Sequence, residues 1–176
     1  IDGKYRSTIP TQLDPFGIAA TRDNNRLVVV CCNATDVRVF NKDNRLAFQF
    51  PTVPPSEVGK TAVELQSVAV KKDGTIIVGD VKRMMLTEHS PTDGSLIRTI
   101  PVKTKPIFLA VDSNDRVIIS AGGGSQAVDV TDGNGATIFA IEPTIQGTAV
   151  SNCAGVYADS SGIYVAMHNG DNTGHI

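Results

Sequence analysis

Residues 93–101 read Asp93-Gly94-Ser95-Leu96-Ile97-Arg98-Thr99-Ile100-Pro101, and residues 2–10 read Asp2-Gly3-Lys4-Tyr5-Arg6-Ser7-Thr8-Ile9-Pro10. The two segments share Asp, Gly, Thr, Ile and Pro in register, more agreement than a turn and a strand chosen independently would give. An internal repeat is therefore the first reading to test. Asp43-Asn44-Arg45-Leu46-Ala47-Phe48-Gln49-Phe50-Pro51 follows the same pattern, and Asn134–Pro143 is a looser copy. The copies start at positions 2, 43, 93 and 134, so their spacings are 41, 50 and 41 residues. This is an array with one long insertion.

A second motif interleaves with the first, at Phe16–Ala20, Gln66–Val70, Phe108–Val111 and Ala154–Ala158. A polar turn and an apolar, β-branched run follow each copy: Arg26–Val30, Thr75–Val78, Arg116–Ile119 and Gly162–Val165. The turns carry the Asn, Asp and Gly that tight hairpins require. Alternating third runs, Asp36–Phe40, Arg83–Thr87 and Gln126–Val130, lead back into the first motif. No helical period competes with this pattern. Four short antiparallel strands in each unit of some 40–50 residues make an all-β chain of β-propeller blades, approximately 11–51, 61–101, 105–143 and 152–176 plus 1–10. The small residue in each first strand, Ala19, Ala69, Ala110 and Ala158, fits a taper toward a central channel. On this reading residues 1–176 form one domain, and the strand Lys4–Ile9 either completes the last blade or belongs to a preceding one. Both a closed four-bladed ring and a piece of a larger ring stay open.

Composition narrows the function classes. The chain has 41% hydrophobic and 19% charged residues, and no apolar run approaches the ~20 residues that span a bilayer. Net charge is −2, from 16 Lys+Arg against 18 Asp+Glu, so no global field favours nucleic acid or an anionic membrane. Three cysteines, two of them vicinal at Cys31-Cys32 and the third at Cys153, suit a reducing compartment and buried thiols rather than a disulfide framework. A cytoplasmic location is the expectation.

The order Pro15-Phe16-Gly17-Ile18-Ala19, aliphatic strand, Val37-Arg38-Val39-Phe40, then Asp43-Asn44 resembles the NHL repeat, and the resemblance covers nearly the whole chain. It implies a recognition module such as the C-terminal domain of tripartite-motif ubiquitin ligases, which binds a protein or a structured RNA. Units two and three keep the order and lose the Pro-x-Gly start, and unit four keeps Gly155.

Catalytic signatures are sparse. A zinc site needs about three converging ligands, whereas His89 lies by the Ser90–Gly94 turn and His168 and His175 share another loop with Asp171. There is no Gly-x-Ser-x-Gly elbow, no Cys-x-x-Cys and no helix behind Gly122-Gly123-Gly124 to make a phosphate cradle. No catalytic residue, metal or cofactor is assigned, and the domain reads as non-enzymatic.

Loops joining second to third strands, and fourth strands to the next unit, emerge on one face of such a ring, where recognition usually resides. Lys82, Arg83, Lys103 and Lys105 fall in neighbouring loops of that face, and with Asn33, Gln126, His168 and Asn169 they are the candidate binding residues. The Pro54-Pro55 pair stiffens the insertion at 52–60. The expected partner is a protein. A structured RNA on the basic patch is the first alternative, although an aromatic stacking platform is thin with no Trp, 3 Tyr and 6 Phe. A metal-dependent propeller enzyme of lyase or lactonase type is the second. No membrane partner is expected, and an incomplete ring would favour self-association through unpaired edges.

Overall fold

A computed structural model describes residues 8–9, 11, 13–21, 25–122, 128–145, 147–150, 152–168 and 174–175. Within them, fifteen strands form four antiparallel sheets, each paired in sequence order. The first contains β1 (Pro15–Ala20), β2 (Leu27–Cys31), β3 (Asp36–Phe40) and β4 (Leu46–Pro51). A 3-10 turn at Pro55–Glu57 interrupts the linker to the second, which contains β5 (Leu65–Val70), β6 (Ile76–Asp80), β7 (Met85–His89) and β8 (Leu96–Pro101). The third contains β9 (Phe108–Val111), β10 (Val117–Ser120), β11 (Val128–Thr131) and β12 (Thr137–Ile141). A short pair, β13 (Thr144–Ile145) and β14 (Thr148–Ala149), precedes the fourth sheet of β15 (Cys153–Ala158), β16 (Ile163–His168) and β17 (Gly174–His175).

The turn residues build the hairpins by a common device. Asp112 Oδ1 accepts from the backbone N–H groups of Asn114 and Arg116, Asp132 Oδ1 from those of Asn134 and Ala136, and Asn41 Oδ1 from those of Asp43 and Arg45. A side-chain oxygen thus satisfies donors that the reversal would otherwise leave open. One later residue in each turn adopts a left-handed conformation: Asp115 at φ 59°, Asn44 at 60° and Gly135 at 81°. Gly94 takes the same place after β7 at φ 75°, and a Cβ there would lie 2.7 Å from Phe50 Cβ, so glycine is required on two counts.

Each outer strand then carries a bulge at the same place. Ala47, Ile97 and Ile138 are skipped between paired neighbours, and the inner strands β1, β5 and β15 skip Phe16, Gln66 and Ala154. Bulges increase twist locally, which lets successive sheets stack face to face. The second strands of the first three sheets, β2, β6 and β10, are buried on both faces, which is why they read as unbroken apolar runs. Val28, Val30, Phe50, Val68 and Ile76 fill the gap between the first two sheets. Ile77, Leu86, Val117 and Ile119 fill the second gap, and Ile118, Val128, Val130 and Cys153 the third. Full burial of each such aliphatic side chain is worth about 1.5–3 kcal/mol, so the sheets are held mainly by these three seams.

Two expectations need correction. The third strand of the second unit starts at Met85, because Arg83 turns back to Asp80 and Met84 takes φ 54°. The recurring small residue is also misplaced in the fourth unit. Ala19, Ala69 and Ala110 pair with Val28, Ile77 and Ile118, and the corresponding pair in the fourth sheet is Tyr157 with Tyr164. Ala158 instead points into the seam against the third sheet.

The inner strands adjoin in the order β1, β5, β9, β15, and among the described residues β1 and β15 do not pack together as these neighbours do. The closing strand expected at Lys4–Ile9 lies outside the described residues except for Thr8 and Ile9, and Ile9 packs on the Val29, Cys31, Ala34 and Phe40 cluster of the first sheet.

Candidate functional site

The loop face is organised by one buried carboxylate. Asp80, the last residue of β6, has no solvent exposure. Its Oδ1 accepts from the backbone N–H groups of Glu64 (3.2 Å) and Arg83 (3.1 Å), and its Oδ2 from Arg83 Nε at 2.5 Å. Arg83 Nη2 continues to the Thr52 carbonyl at 3.3 Å, and the Val81 N–H donates to the Glu64 carbonyl at 2.9 Å. A buried charge is tolerable only when paired and hydrogen-bonded, and here those bonds tie both ends of the 52–64 linker to the turn after β6.

Lys82, beside Arg83 in that turn, is exposed, as are Lys103 and Lys105 in the linker that follows β8. The two loops are joined by the Val102 N–H donating to the Met84 carbonyl at 3.0 Å, and the second is anchored onward by the Ile107 N–H to the Ser120 carbonyl at 3.1 Å. Among the described residues none of the three lysines has an ion-pair partner. Of the four basic residues singled out from the sequence, three therefore present free charge on adjoining loops, whereas Arg83 is engaged by Asp80. Asn33 is exposed in the turn after β2 at φ 59°. His168 is the last residue of β16, and Gln126 and Asn169 lie outside the described residues.

Beyond these residues, a cleft of about 680 Å³ opens between the first sheet and the 52–64 linker. Its floor is one sheet face, set by the cross-strand pairs Asp36 with Pro51 and Arg38 with Gln49, and its apolar walls include Val53, Val58 and Val63. Arg38 Nη1 donates to the Thr11 carbonyl, and Nε lies 3.6 Å from Asp36 Oδ2, buried and without a hydrogen-bond partner among the described residues. Sequence reading noticed the linker as an insertion. It missed the cleft because the floor residues belong to strands whose facing depends on register.

At the hub, where the inner strands converge, a smaller cavity of about 220 Å³ is lined by residues such as Phe16, Ile18, Gln66 and Phe108. Among the described residues none of its lining side chains is ionisable. The described residues contain no group of three or more His, Cys, Asp and Glu placed to hold a metal ion. His89 is fully buried, bonded through Nδ1 to the Gly94 carbonyl at 3.0 Å and through Nε2 to Thr87 Oγ1 at 2.9 Å, with its ring 4.6 Å from that of Phe50. Burial pushes its pKa down to about 4. It is a neutral core histidine.

The cysteines divide. Cys31 and Cys153 are buried, and burial raises the Cys31 thiol above its usual range. Cys32 is exposed in the following turn, where only the first of the vicinal pair belongs to the strand. All three are free thiols.

No protein-family model matches the chain, and no curated protein does. Solved structures do. A hydrazine synthase of Kuenenia stuttgartiensis superposes with a TM-score of 0.69 at 16% identity, over 97% of this chain and 46% of that one. U3-55K gives 0.67 at 15% identity over 96% and 49%, and virginiamycin B lyase of Staphylococcus aureus 0.62 at 10% over 94% and 56%. The four sheets are β-propeller blades. The chain spans about half the length of these structures. At such identities the likeness shows the fold alone, and the three proteins differ in what their names say they do. Among the described residues no helix is long and apolar enough to cross a membrane.

Proposed function

We propose that this propeller is a recognition module that binds a protein partner through its loop face, by way of an acidic segment of that partner. The observation that carries the reading is the set of exposed, unpaired Lys82, Lys103 and Lys105 on two adjoining loops. Their backbones are fixed by Asp80 and the Val102–Met84 bond, so binding there would order little more than side chains. The flanking linker exposes the apolar Val58, and a surface of mixed basic and apolar character suits a protein interface better than a phosphate backbone alone. The NHL-like order of the repeats supports the same reading, and a role as the substrate-recognition part of a cytoplasmic, tripartite-motif-like ubiquitin ligase belongs to this proposal. Catalysis would then reside outside this domain.

The test is selection of peptides from a random display library on the 176-residue chain, followed by affinity measurements against Lys82→Glu, Lys103→Glu and Lys105→Glu combined. The reading expects Asp- and Glu-rich winners whose binding weakens with salt and is lost in the triple variant. Peptides that bind the variant as well as the wild type would refute it. Salt-sensitive binding of an RNA stem, lost in the same variant while no peptide is selected, would instead assign the patch to nucleic acid.

A further inference from the structure

We infer that the cleft between the first blade and the 52–64 linker seats an apolar side chain of an extended peptide, whose neighbouring carbonyl or carboxylate oxygen accepts from Arg38. The inference rests on the loop-face reading above and names the chemistry of the segment recognised.

Size is the first argument. At about 680 Å³ the cleft lies within the ~300–1,000 Å³ typical of ligand sites and exceeds what one side chain needs, leaving room for flanking backbone. Its walls come next. Val58 is 51% exposed at the rim, while Val53 is buried. Val58 is held there by an ordered linker: Glu57 accepts from the backbone N–H groups of Lys60 and Thr61 and, through its carboxylate, from Thr61 Oγ1 at 3.0 Å. An apolar residue presented by a rigid segment is pre-organised for contact.

The polar end then specifies what accompanies the apolar group. Arg38 Nε is buried at the cleft floor with no hydrogen-bond partner among the described residues, and Asp36 Oδ2 at 3.6 Å is too far to serve. A buried donor left open is unfavourable, and a turn of the Arg38 guanidinium toward the cleft would let an occupant's oxygen satisfy it. Charge complementarity extends the footprint. Lys60 is exposed at the rim, Lys82 lies in the 80–84 turn that Arg83 bonds to the linker at Thr52, and Lys103 and Lys105 lie in the loop that the Val102–Met84 bond joins to that turn. Basic groups spread over three adjoining loops match a chain with acidic residues beside its apolar anchor rather than a compact small molecule.

The experiment measures library-selected peptides against wild type, Val58→Glu, Arg38→Gln and the triple lysine variant, with the solution mass of each protein recorded alongside. Val58→Glu is the main probe because that side chain is exposed and its loss leaves the core intact. Expected are peptides with Leu, Ile or Phe next to Asp or Glu, weakened at least about tenfold by Val58→Glu and measurably by Arg38→Gln. If Val58→Glu binds them unchanged while the lysine variant does not, the cleft assignment falls and the loop-face reading stands. If neither substitution matters, both fall. If the protein self-associates and Val58→Glu dissociates it, the cleft takes a second copy of this chain and the peptide assignment is overturned.

Discussion

Arg83 Nε and Oδ2 of the fully buried Asp80 lie 2.5 Å apart, and the same arginine reaches the Thr52 carbonyl across the linker. One residue pair therefore sets the geometry of both the turn that presents Lys82 and the linker that walls the cleft.

Removing one member of this pair should be worse than removing both. Arg83→Met leaves Asp80 charged and uncompensated, at an expected cost of about 3–5 kcal/mol in urea unfolding. Asp80→Asn combined with Arg83→Met retains a hydrogen-bonding group without the orphan charge and should recover part of that loss. Equal stability of the single and double variants would show that the ion pair does not organise the loops.

His89 makes stability depend on pH over a defined window. Unfolded, it protonates below about 6.5, whereas burial holds the folded group at about 4. Between those values the unfolded state binds more protons, so stability is fully present above pH 6.5 and falls as the pH drops toward 4. The expected loss at pH 4 is about 3 kcal/mol. A series of urea midpoints from pH 7.5 to 4 reads this slope, and His89→Gln should flatten it between pH 6.5 and 4.5.

Glu88 should respond unequally to the loss of its two cations. Burial tends to raise its pKa, but the hydrogen bonds and charges of Arg98 and Lys71 outweigh that and hold it low. Lys71 Nζ lies 2.5 Å away and its side chain is 12% exposed; Arg98 Nε lies 2.7 Å away and is 40% exposed. Lys71→Ala, which removes the less exposed cation, should cost about 3 kcal/mol in urea unfolding, whereas Arg98→Ala should cost about 1 kcal/mol or less. Because its folded pKa is depressed, the contribution of Glu88 is present above pH 4.5 and disappears below it.

Gly79 governs the approach of the third blade to the second. A Cβ there would come within 2.6 Å of the Pro106 carbonyl, the acceptor of a 2.5 Å hydrogen bond from Ser67 Oγ. Gly79→Ala should therefore cost about 1–3 kcal/mol through overpacking, with a matching drop in the thermal midpoint. An unchanged midpoint would mean that the seam can open without loss.

Much of this architecture was legible in the sequence. Asp-Gly and Asn-Gly turns with β-branched runs specified hairpins, and their spacing specified the units, because turn chemistry and burial on two faces act locally. Facing was not legible. Tyr157 and Tyr164, exposed by 60% and 42%, occupy the pair position held by Ala and a buried aliphatic residue in the other blades, although β15 carries at Ala154 the same bulge that β1 and β5 carry at Phe16 and Gln66. The site divided in the same way. Exposed lysines in turns could be read from position, whereas the engagement of Arg83 depends on Asp80 being buried at the end of β6, and the cleft depends on which face of β3 carries Arg38.

The most direct test of loop-face recognition is to follow backbone amide shifts of the labelled 176-residue chain during titration with the tightest library-selected peptide. The account requires the perturbed amides to cluster at residues 52–63, 80–84 and 101–105. Shifts confined to the hairpin turns of the opposite face, at 41–45, 72–74, 92–95 and 113–115, would contradict it.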